Sequence, residues 1–294
     1  ASSAQKIFEE GLFKIINQYK GKNENLVLSG GCALNSLANG KLIESKIFKN
    51  IFVQFCPGDN GGSIGAALYH LKKNYPKIKT EDLQNPYLGK KYNKNQIKSA
   101  LDIYKSKIEY QIIDDDKELN NLVCKYLMEE KIIGWFQDRM EFGPRALGNR
   151  SIISSPIGPN IKNLINSKIK LRENFRPFAP SILEENVSDW FEKHVTSNYM
   201  SFVSKIKNEK KNLIPAVTHV DGTGRLQTVN YHQNKKFYNL IKKFYEISNV
   251  PILLNTSFNE NEPIVMSPKN ALECYLRTEM DFLVINNFLI NKKN

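Results

Sequence analysis

The sequence predicts an α/β protein in two parts, on three observations. Short β-branched and aromatic runs alternate with segments whose apolar residues recur at helical spacing along most of the chain. Twice near the start, at 26–42 and 51–73, an apolar run passes through glycines straight into such a segment, the strand–turn–helix order of a parallel unit. Residues 75–95 then break the rhythm: Pro76, Pro86, Gly89 and many Lys and Asn mark a linker, with a domain boundary near 88.

Composition narrows the class. With 294 residues the chain can bury one large core or two modest ones. A hydrophobic share of 41% against 24% charged describes a globular protein, not a disordered one. The formal charge of +12 could attract nucleic acid or an anionic surface. The surplus is mostly Lys scattered among Asn and Ile, however, and it lacks the basic stripe with interleaved aromatics of a nucleic-acid binder. Cys32, Cys56, Cys124 and Cys274 form no Cys-x-x-Cys and have apolar neighbours, as buried thiols of a reducing compartment do. The start runs straight into a helical pattern without a signal peptide, and no apolar run reaches about 18 residues. A cytoplasmic protein with neither nucleic acid nor membrane as partner is the expectation.

Taken in order, Ala4, Ile7, Phe8, Leu12, Ile15 and Ile16 set an amphipathic helix over 2–18. Leu26–Ser29 is a strand, followed by Gly30-Gly31 and a helix over 34–42 with Asn35 on its first turn. Backbone can approach a phosphate there, with the helix N-terminus favouring its charge, although such glycines also serve purely steric turns. Ile51–Phe55 is a second strand, and it opens on Pro57-Gly58-Asp59-Asn60-Gly61-Gly62-Ser63-Ile64-Gly65 before a helix to about Lys73. Asp59 or Ser63 would cap that helix. Asp59 could equally face a metal ion or a nucleotide, since the glycines let a ligand come close. Two such units together favour a nucleotide site more than either alone.

Beyond the linker, 95–104 reads as helix, 108–113 as strand, 114–130 as helix and 132–136 as strand. The stretch 134–154 then carries Arg139, Arg145 and Arg150 around Gly143-Pro144 and Gly148-Asn149. It reads as a strand ending in a polar turn and then a short helix or tight loop. Guanidinium forks match the paired oxygens of a phosphate or carboxylate, while a solvated basic loop making ion pairs fits the spacing as well. After a helix over 160–167, Lys168, Lys170, Arg172 and Arg176 crowd together ahead of Pro177 and Pro180. If the two cation-rich stretches converge, they need an anion between them or they repel, which favours a phosphate-bearing substrate. Ser181–Glu184 begins a strand or short helix, and 199–204 is a strand. Residues 215–229 read as a β-hairpin displaying His219, Asp221 and Arg225. A helix over 235–246 precedes the buried strand 250–254, which ends in the polar cluster Asn255-Thr256-Ser257-Phe258-Asn259-Glu260, at the kind of strand end where open sheets place ligands. Pro268–Thr278 is a helix capped by Ser267, and 280–285 and 288–290 close the chain as strands. There is no zinc-spaced Cys/His set, His-x-x-x-His, Gly-x-Ser-x-Gly or Walker pattern, so acyl-enzyme chemistry at Ser or Cys has no support.

Six stretches carry a resemblance to a family: Ser29-Gly-Gly-Cys-Ala-Leu-Asn35, Pro57–Ala67, Gly134–Ser151, Lys168 with Arg172–Pro180, His219-Val-Asp221 with Arg225–Val229, and Asn255–Asn259 with Glu262–Val265. Over nearly the whole chain it resembles the O-carbamoyltransferases of the nodulation-factor and antibiotic-tailoring type. The resemblance implies that residues 1–88 are the C-terminal portion of an actin/hexokinase-like nucleotidyl domain whose first half the sequence lacks. It implies that residues 89–294 are a twisted open α/β sheet domain like that of threonylcarbamoyl-adenylate synthases. The implied activity is ATP-dependent conversion of carbamoyl phosphate to carbamoyl adenylate in the second domain, then transfer of the carbamoyl group by the first to a hydroxyl of a sugar or small molecule. This piece would hold only the adenylate-forming part. The implied cofactors are ATP with magnesium, and iron or a similar divalent metal ion at the transfer site, held by Asp59 and two histidines of the absent half.

Arg145, Arg150, Lys168, Arg172, Arg176 and His219 are the catalytic candidates. Gly30, Gly31, Asn35, Gly61, Gly62, Arg139, Arg225, Asn255, Ser257 and Asn259 are the candidates for holding cofactor and substrate. Asn261 stands where the family usually has glycine. A homodimer is compatible with the sequence. Two rival readings remain: a threonylcarbamoyl-adenylate component of tRNA modification, which the positive charge favours, and a non-catalytic nucleotide-binding module.

Overall fold

Two short strands organise the first part of the computed structural model, which describes residues 2–78 and 84–293; residues 79–83 of the expected linker lie outside the described residues. β1 (Asn25–Leu28) and β2 (Asn50–Val53) pair in parallel, with Leu26 opposite Ile51 and Leu28 opposite Val53. Parallel pairing brings both glycine loops to the same edge, where the Gly30 N–H donates to the Pro57 carbonyl at 2.6 Å. The inner faces of the strands pack on Ile16 of helix α1 (Ser2–Asn17) and Leu42 of α2 (Ser36–Ser45). Asn35 lies outside α2 and caps it, accepting from the Ala38 N–H at 3.1 Å. Helix α3 (Gly61–Asn74) starts without a side-chain cap, so neither Asp59 nor Ser63 serves as one.

The second part is a nine-stranded mixed sheet in the order β3-β11-β10-β4-β5-β9-β6-β8-β7. Its strands are β3 (Ile108–Ile112), β4 (Ile133–Phe136), β5 (Arg150–Ser154), β6 (Ala179–Leu183), β7 (Phe202–Lys205), β8 (Thr223–Val229), β9 (Ile252–Ser257), β10 (Phe282–Ile285) and β11 (Phe288–Lys292). The helices are α4 (Lys94–Ile103), α5 (Asp116–Met128), the single turns α6 (Ile161–Leu164) and α7 (Val187–Trp190), α8 (Lys235–Ser248) and α9 (Pro268–Arg277). α8 packs on β9 and β6, α9 packs on β10 and β4, and α5 and α4 lie against α8 and α9. α9 begins with a capping box of Ser267 and Asn270 and carries Pro268 in its first turn, where its missing N–H costs nothing.

Of the two alternatives for the stretch 134–154, the loop forms: Arg150–Ser154 is a strand antiparallel to β4, and 137–149 connects the two strands without a helix. One expectation changes here. The hairpin expected over 215–229 does not form. Residues 215–217 make a 3-10 turn, and β8 inserts between β6 and β7. All but one of β8's residues are buried, as an interior strand requires and a displayed ribbon does not.

The two parts are in close contact. A Cβ on Gly40 would fall closer than 3.0 Å to the Val203 carbonyl, and one on Gly143 (φ +136) equally close to the Phe55 carbonyl. Both glycines therefore let backbone meet backbone. Asn39 donates to the Ser201 carbonyl at 3.0 Å, and Phe55, Leu147, Tyr199 and Met200 share one apolar cluster. Tyr87 belongs to the same cluster, so the chain already lies on the second part just before residue 89.

Candidate functional site

The loop 137–149 is folded around one carboxylate. Glu141 is buried, and its Oε1 accepts from the backbone N–H groups of Leu147 (2.7 Å), Asn149 (2.7 Å) and Arg150 (3.2 Å). Gly148 at φ +105 turns the chain where a Cβ would strike the Phe237 ring. The Leu147 carbonyl accepts from Tyr87 Oη and Gln227 Nε2, each at 2.9 Å. Thus tied, the loop presents Arg145 to a cavity of about 260 Å³ that is also lined by Arg172, Arg176, Arg225, Asn255 and Ser257.

Arg172 arrives from the opposite side. Its Nε donates to Asn166 Oδ1 at 2.7 Å, and its guanidinium lies 5.0 Å from the centre of the Phe178 ring. Arg225 comes from β8. Burial comes first, then Arg145 and Arg172, in lowering its pKa. Burial also lowers Arg145 and Arg172, the latter with help from Arg176. Among the described residues the arginines in ion pairs are Arg176, with Glu173 at 2.9 Å, and Arg277. The other three guanidiniums stay charged near neutrality and repel one another across the cavity unless an anion occupies it.

Lys170 is the residue that sequence reasoning passed over as a site residue. It is 2% exposed, and its Nζ donates to the carbonyls of Ser257 and Asn259, each at 2.6 Å, and to Asn259 Oδ1 at 2.7 Å. Burial, then the charge of Arg172, pushes it down to about 7. The signal was conformational. Leu171 takes φ +43 and points outward, 61% exposed, so that its neighbours Lys170 and Arg172 both turn inward. The π-helical turn Ile165–Ile169 leads into this reversal.

The remaining candidates separate. Arg150 does not line the cavity. It is fully buried, stacks 3.5 Å over the Phe136 ring, and donates to the carbonyls of Gln137, Asn149 (2.9 Å), Asp138 (3.1 Å) and Lys90 (3.3 Å). Lys168 is exposed and pairs with Glu279 at 2.7 Å, which raises its pKa. Arg139 is exposed, donates to the Gly89 carbonyl at 3.1 Å, and borders a different cavity of about 400 Å³ with Asp138, Asn234 and Lys236. His219 lines an adjoining cavity of about 210 Å³ with Ser36, Leu37, Phe178 and Thr223, and Arg225 borders both spaces. Burial lowers the His219 pKa, Asp221 opposes this and Arg225 adds to it.

Gly30 and Asp59, on the two loops after β1 and β2, sit apart, as do Gly31, which opens a 3-10 turn, and Gly61 and Gly62, which open α3. Asn35 is committed to its cap and to Gln5, at 2.9 Å. One contact joins the regions: Arg145 Nη2 donates to the Leu34 carbonyl at 3.3 Å. Asp59 is exposed, and among the described residues no group of three His, Cys, Asp or Glu is placed to hold a metal ion. One carboxylate is not a ligand set, so no step proposed below passes through a transfer-site metal.

Residues 124–292 match the profile of the carbamoyltransferase C-terminus, and residues 1–68 match that of the carbamoyltransferase N-terminus. The chain belongs to the carbamoyltransferase family. This carbamoyltransferase-family chain is 40% identical over its whole length to nodulation protein NolNO of Sinorhizobium fredii, covering 44% of that protein. It is 39% identical to nodulation protein NolO of Bradyrhizobium diazoefficiens, covering all of this chain and 54% of that one. An uncharacterized Synechocystis protein is 41% identical over 92% of this chain and 48% of its own. The chain thus spans about half the length of these curated relatives. Among solved structures, phosphate- and nucleotide-bound HypF matches 61% of this chain and 22% of its own, at a TM-score of 0.41 and 17% identity. No helix among the described residues is long and apolar enough to cross a membrane.

Proposed function

We propose that the arginine-lined cavity makes carbamoyl adenylate from carbamoyl phosphate and ATP. The observation that carries this reading is the convergence of Arg145, Arg172 and Arg225, none in an ion pair among the described residues, on one cavity beside the buried Lys170. Family membership supplies the carbamoyl group; the cavity supplies the demand for phosphate.

The chemistry balances in two steps. Water cleaves carbamoyl phosphate into carbamate and inorganic phosphate. A carbamate oxygen then attacks the α-phosphorus of ATP, and the new P–O bond forms as the bond to pyrophosphate breaks. Both steps gather negative charge on phosphoryl oxygens in a small space. Guanidiniums fixed in advance around that space stabilise the charge as it develops, without reorganising at the moment of reaction. Arg145 and Arg225 suit the transferring phosphoryl oxygens. Arg172, held by Asn166, suits the phosphate that leaves; Lys170, whose three N–H groups are spent on Ser257 and Asn259, adds its charge from behind the Ser257 wall without touching the phosphate. His219, in the adjoining space that Arg225 also borders, suits contact with the nucleotide or carbamate end. Magnesium on ATP would share the phosphate charge.

Transfer of the carbamoyl group to a hydroxyl of a sugar or other small molecule is proposed for the longer protein, with the glycine loops and Asp59 on its transfer side. The test is pyrophosphate release from ATP with and without carbamoyl phosphate. Release that depends on carbamoyl phosphate is expected. ATP binding with no such release, from a chain that is folded by circular dichroism, would overturn the reading.

A further inference from the structure

The polar groups that face the arginine-lined cavity are mostly donors. Arg145, Arg172, Arg176 and Arg225 carry N–H groups alone, while the Ser257 hydroxyl spends its one proton on Asn259 Oδ1 at 2.7 Å and accepts from Lys170 Nζ at 3.3 Å. Asn255 is different. It is 0% exposed and lines the same cavity, and its amide is locked by a short relay. The Leu147 carbonyl accepts from Gln227 Nε2 at 2.9 Å, which puts Gln227 Oε1 on the other side. That oxygen accepts from Ser181 Oγ at 2.5 Å and from Asn255 Nδ2 at 2.8 Å. Asn255 Nδ2 also lies 3.1 Å from Ser181 Oγ and 3.4 Å from the Ala146 carbonyl. A backbone carbonyl, which cannot swap donor for acceptor, therefore sets both amide orientations. Asn255 Oδ1 is left buried, with no hydrogen-bond partner among the described residues.

A buried acceptor left unpaired in the wall of an arginine-lined cavity is costly when empty and calls for a ligand that donates. We propose that Asn255 Oδ1 accepts from the carbamoyl amine, so that the cavity selects carbamoyl phosphate over acyl phosphates of the same shape. This rests on the reading that carbamoyl phosphate occupies the cavity. The amine is the only N–H donor of that molecule, and it lies three bonds from phosphorus, within the span of one small cavity. The amine of ATP sits a whole ribose beyond its phosphates. Acetyl phosphate puts a methyl where the amine would be, and it would bury Asn255 Oδ1 unpaired. A site with a dedicated hydrogen-bonding group rejects such an analogue far more strongly than an apolar pocket rejects a change of size.

The experiment measures the affinity of the chain for carbamoyl phosphate, acetyl phosphate, inorganic phosphate and ATP by titration calorimetry. The wild type is expected to bind carbamoyl phosphate at least about tenfold more tightly than acetyl phosphate. Asn255→Leu should bring that ratio within about twofold, and should weaken carbamoyl phosphate more than inorganic phosphate or ATP. Gln227→Met removes the lock without touching the acceptor, and it should lower the ratio too. The two variants back each other if one does not fold, as judged by thermal melting. Equal affinity of the wild type for both acyl phosphates overturns the proposal alone, and is also what an ordered water on Asn255 would give. Preference retained in a folded Asn255→Leu, or a loss confined to ATP, overturns it as well. Binding of neither acyl phosphate overturns both the proposal and the reading beneath it.

Discussion

The loop over 137–149 with Arg150 behind it, and the segment over 168–176, are the two basic stretches that meet at the cavity, and they distribute their charges alike. Each sends its cations to three different fates. In the first, Arg145 faces the cavity, Arg150 is enclosed by carbonyls and Arg139 sits outside. In the second, Arg172 faces the cavity, Lys170 is enclosed by carbonyls beside it, and Lys168 is paired on the surface. The difference lies in what encloses the buried member. Arg150 is held by the loop's own backbone and by Lys90, so it builds the loop. Lys170 is held by Ser257 and Asn259 at the end of β9, so it ties the segment that carries Arg172 to the strand end that carries Ser257. A buried cation can serve as mortar or as part of a site, and its partners decide which.

That contrast can be broken first at Arg150. Arg150→Ala removes the donor that meets the Gln137, Asp138 and Lys90 carbonyls and opens a void beside Phe136, and it is expected to cost about 4 kcal/mol of stability. Urea unfolding would read it; a variant of unchanged midpoint that has lost activity would move Arg150 into the site. Next, Arg145→Lys should leave the unfolding midpoint nearly in place. It should lower carbamoyl-phosphate-dependent pyrophosphate release at least about tenfold, roughly 1.4 kcal/mol, because an ammonium cannot reproduce a bidentate fork. Unchanged release would sink its role.

A third test uses pH. Lys170 is charged below about 7 and loses its charge as pH rises through that value. Affinity for sulfate, whose charge is constant in this range, should fall several-fold across the transition, and Lys170→Met should abolish the dependence. The linkage has the opposite sense for stability. The folded pKa lies below the ordinary lysine value of 10.5, so the unfolded chain binds the extra proton between about 7 and 10.5 and stability rises with pH there. Lys170→Met should flatten that slope; a slope that survives belongs to other groups. The smallest effect belongs to Lys168, whose exposed pair with Glu279 should be dispensable: Lys168→Ala should change neither sulfate affinity nor unfolding midpoint measurably.

Much of this was legible in the residues. The two strand–glycine–helix units follow from local patterns, as does the capped helix after Ser267, because a cap or a period is decided within a few residues. The meeting of Arg145 with Arg172 was legible as a requirement for an anion between two basic stretches. The fate of Arg150 was not, because it depends on the Lys90 carbonyl, sixty positions away. Strand β8 read as half a hairpin because Gly222 and Gly224 look like the turn between two strands; only the neighbours β6 and β7 make it interior. Lys170 was hidden by Lys168: two lysines around one isoleucine look equivalent until the φ of Leu171 sends one inward.

The backbone contact at Gly143 has a consequence for protein engineering. The arginine loop rests directly on the Phe55 carbonyl, with no side chain between to absorb a misfit. Arg145 also reaches the Leu34 carbonyl of the first part. The nine-stranded part is therefore not a free-standing cassette. A chimera that exchanges residues 1–74 for those of a relative would have to reproduce the main-chain path at Leu34 and Phe55. Portability of the chemistry is limited here by the shape of a joint, ahead of any choice of substrate-binding residues.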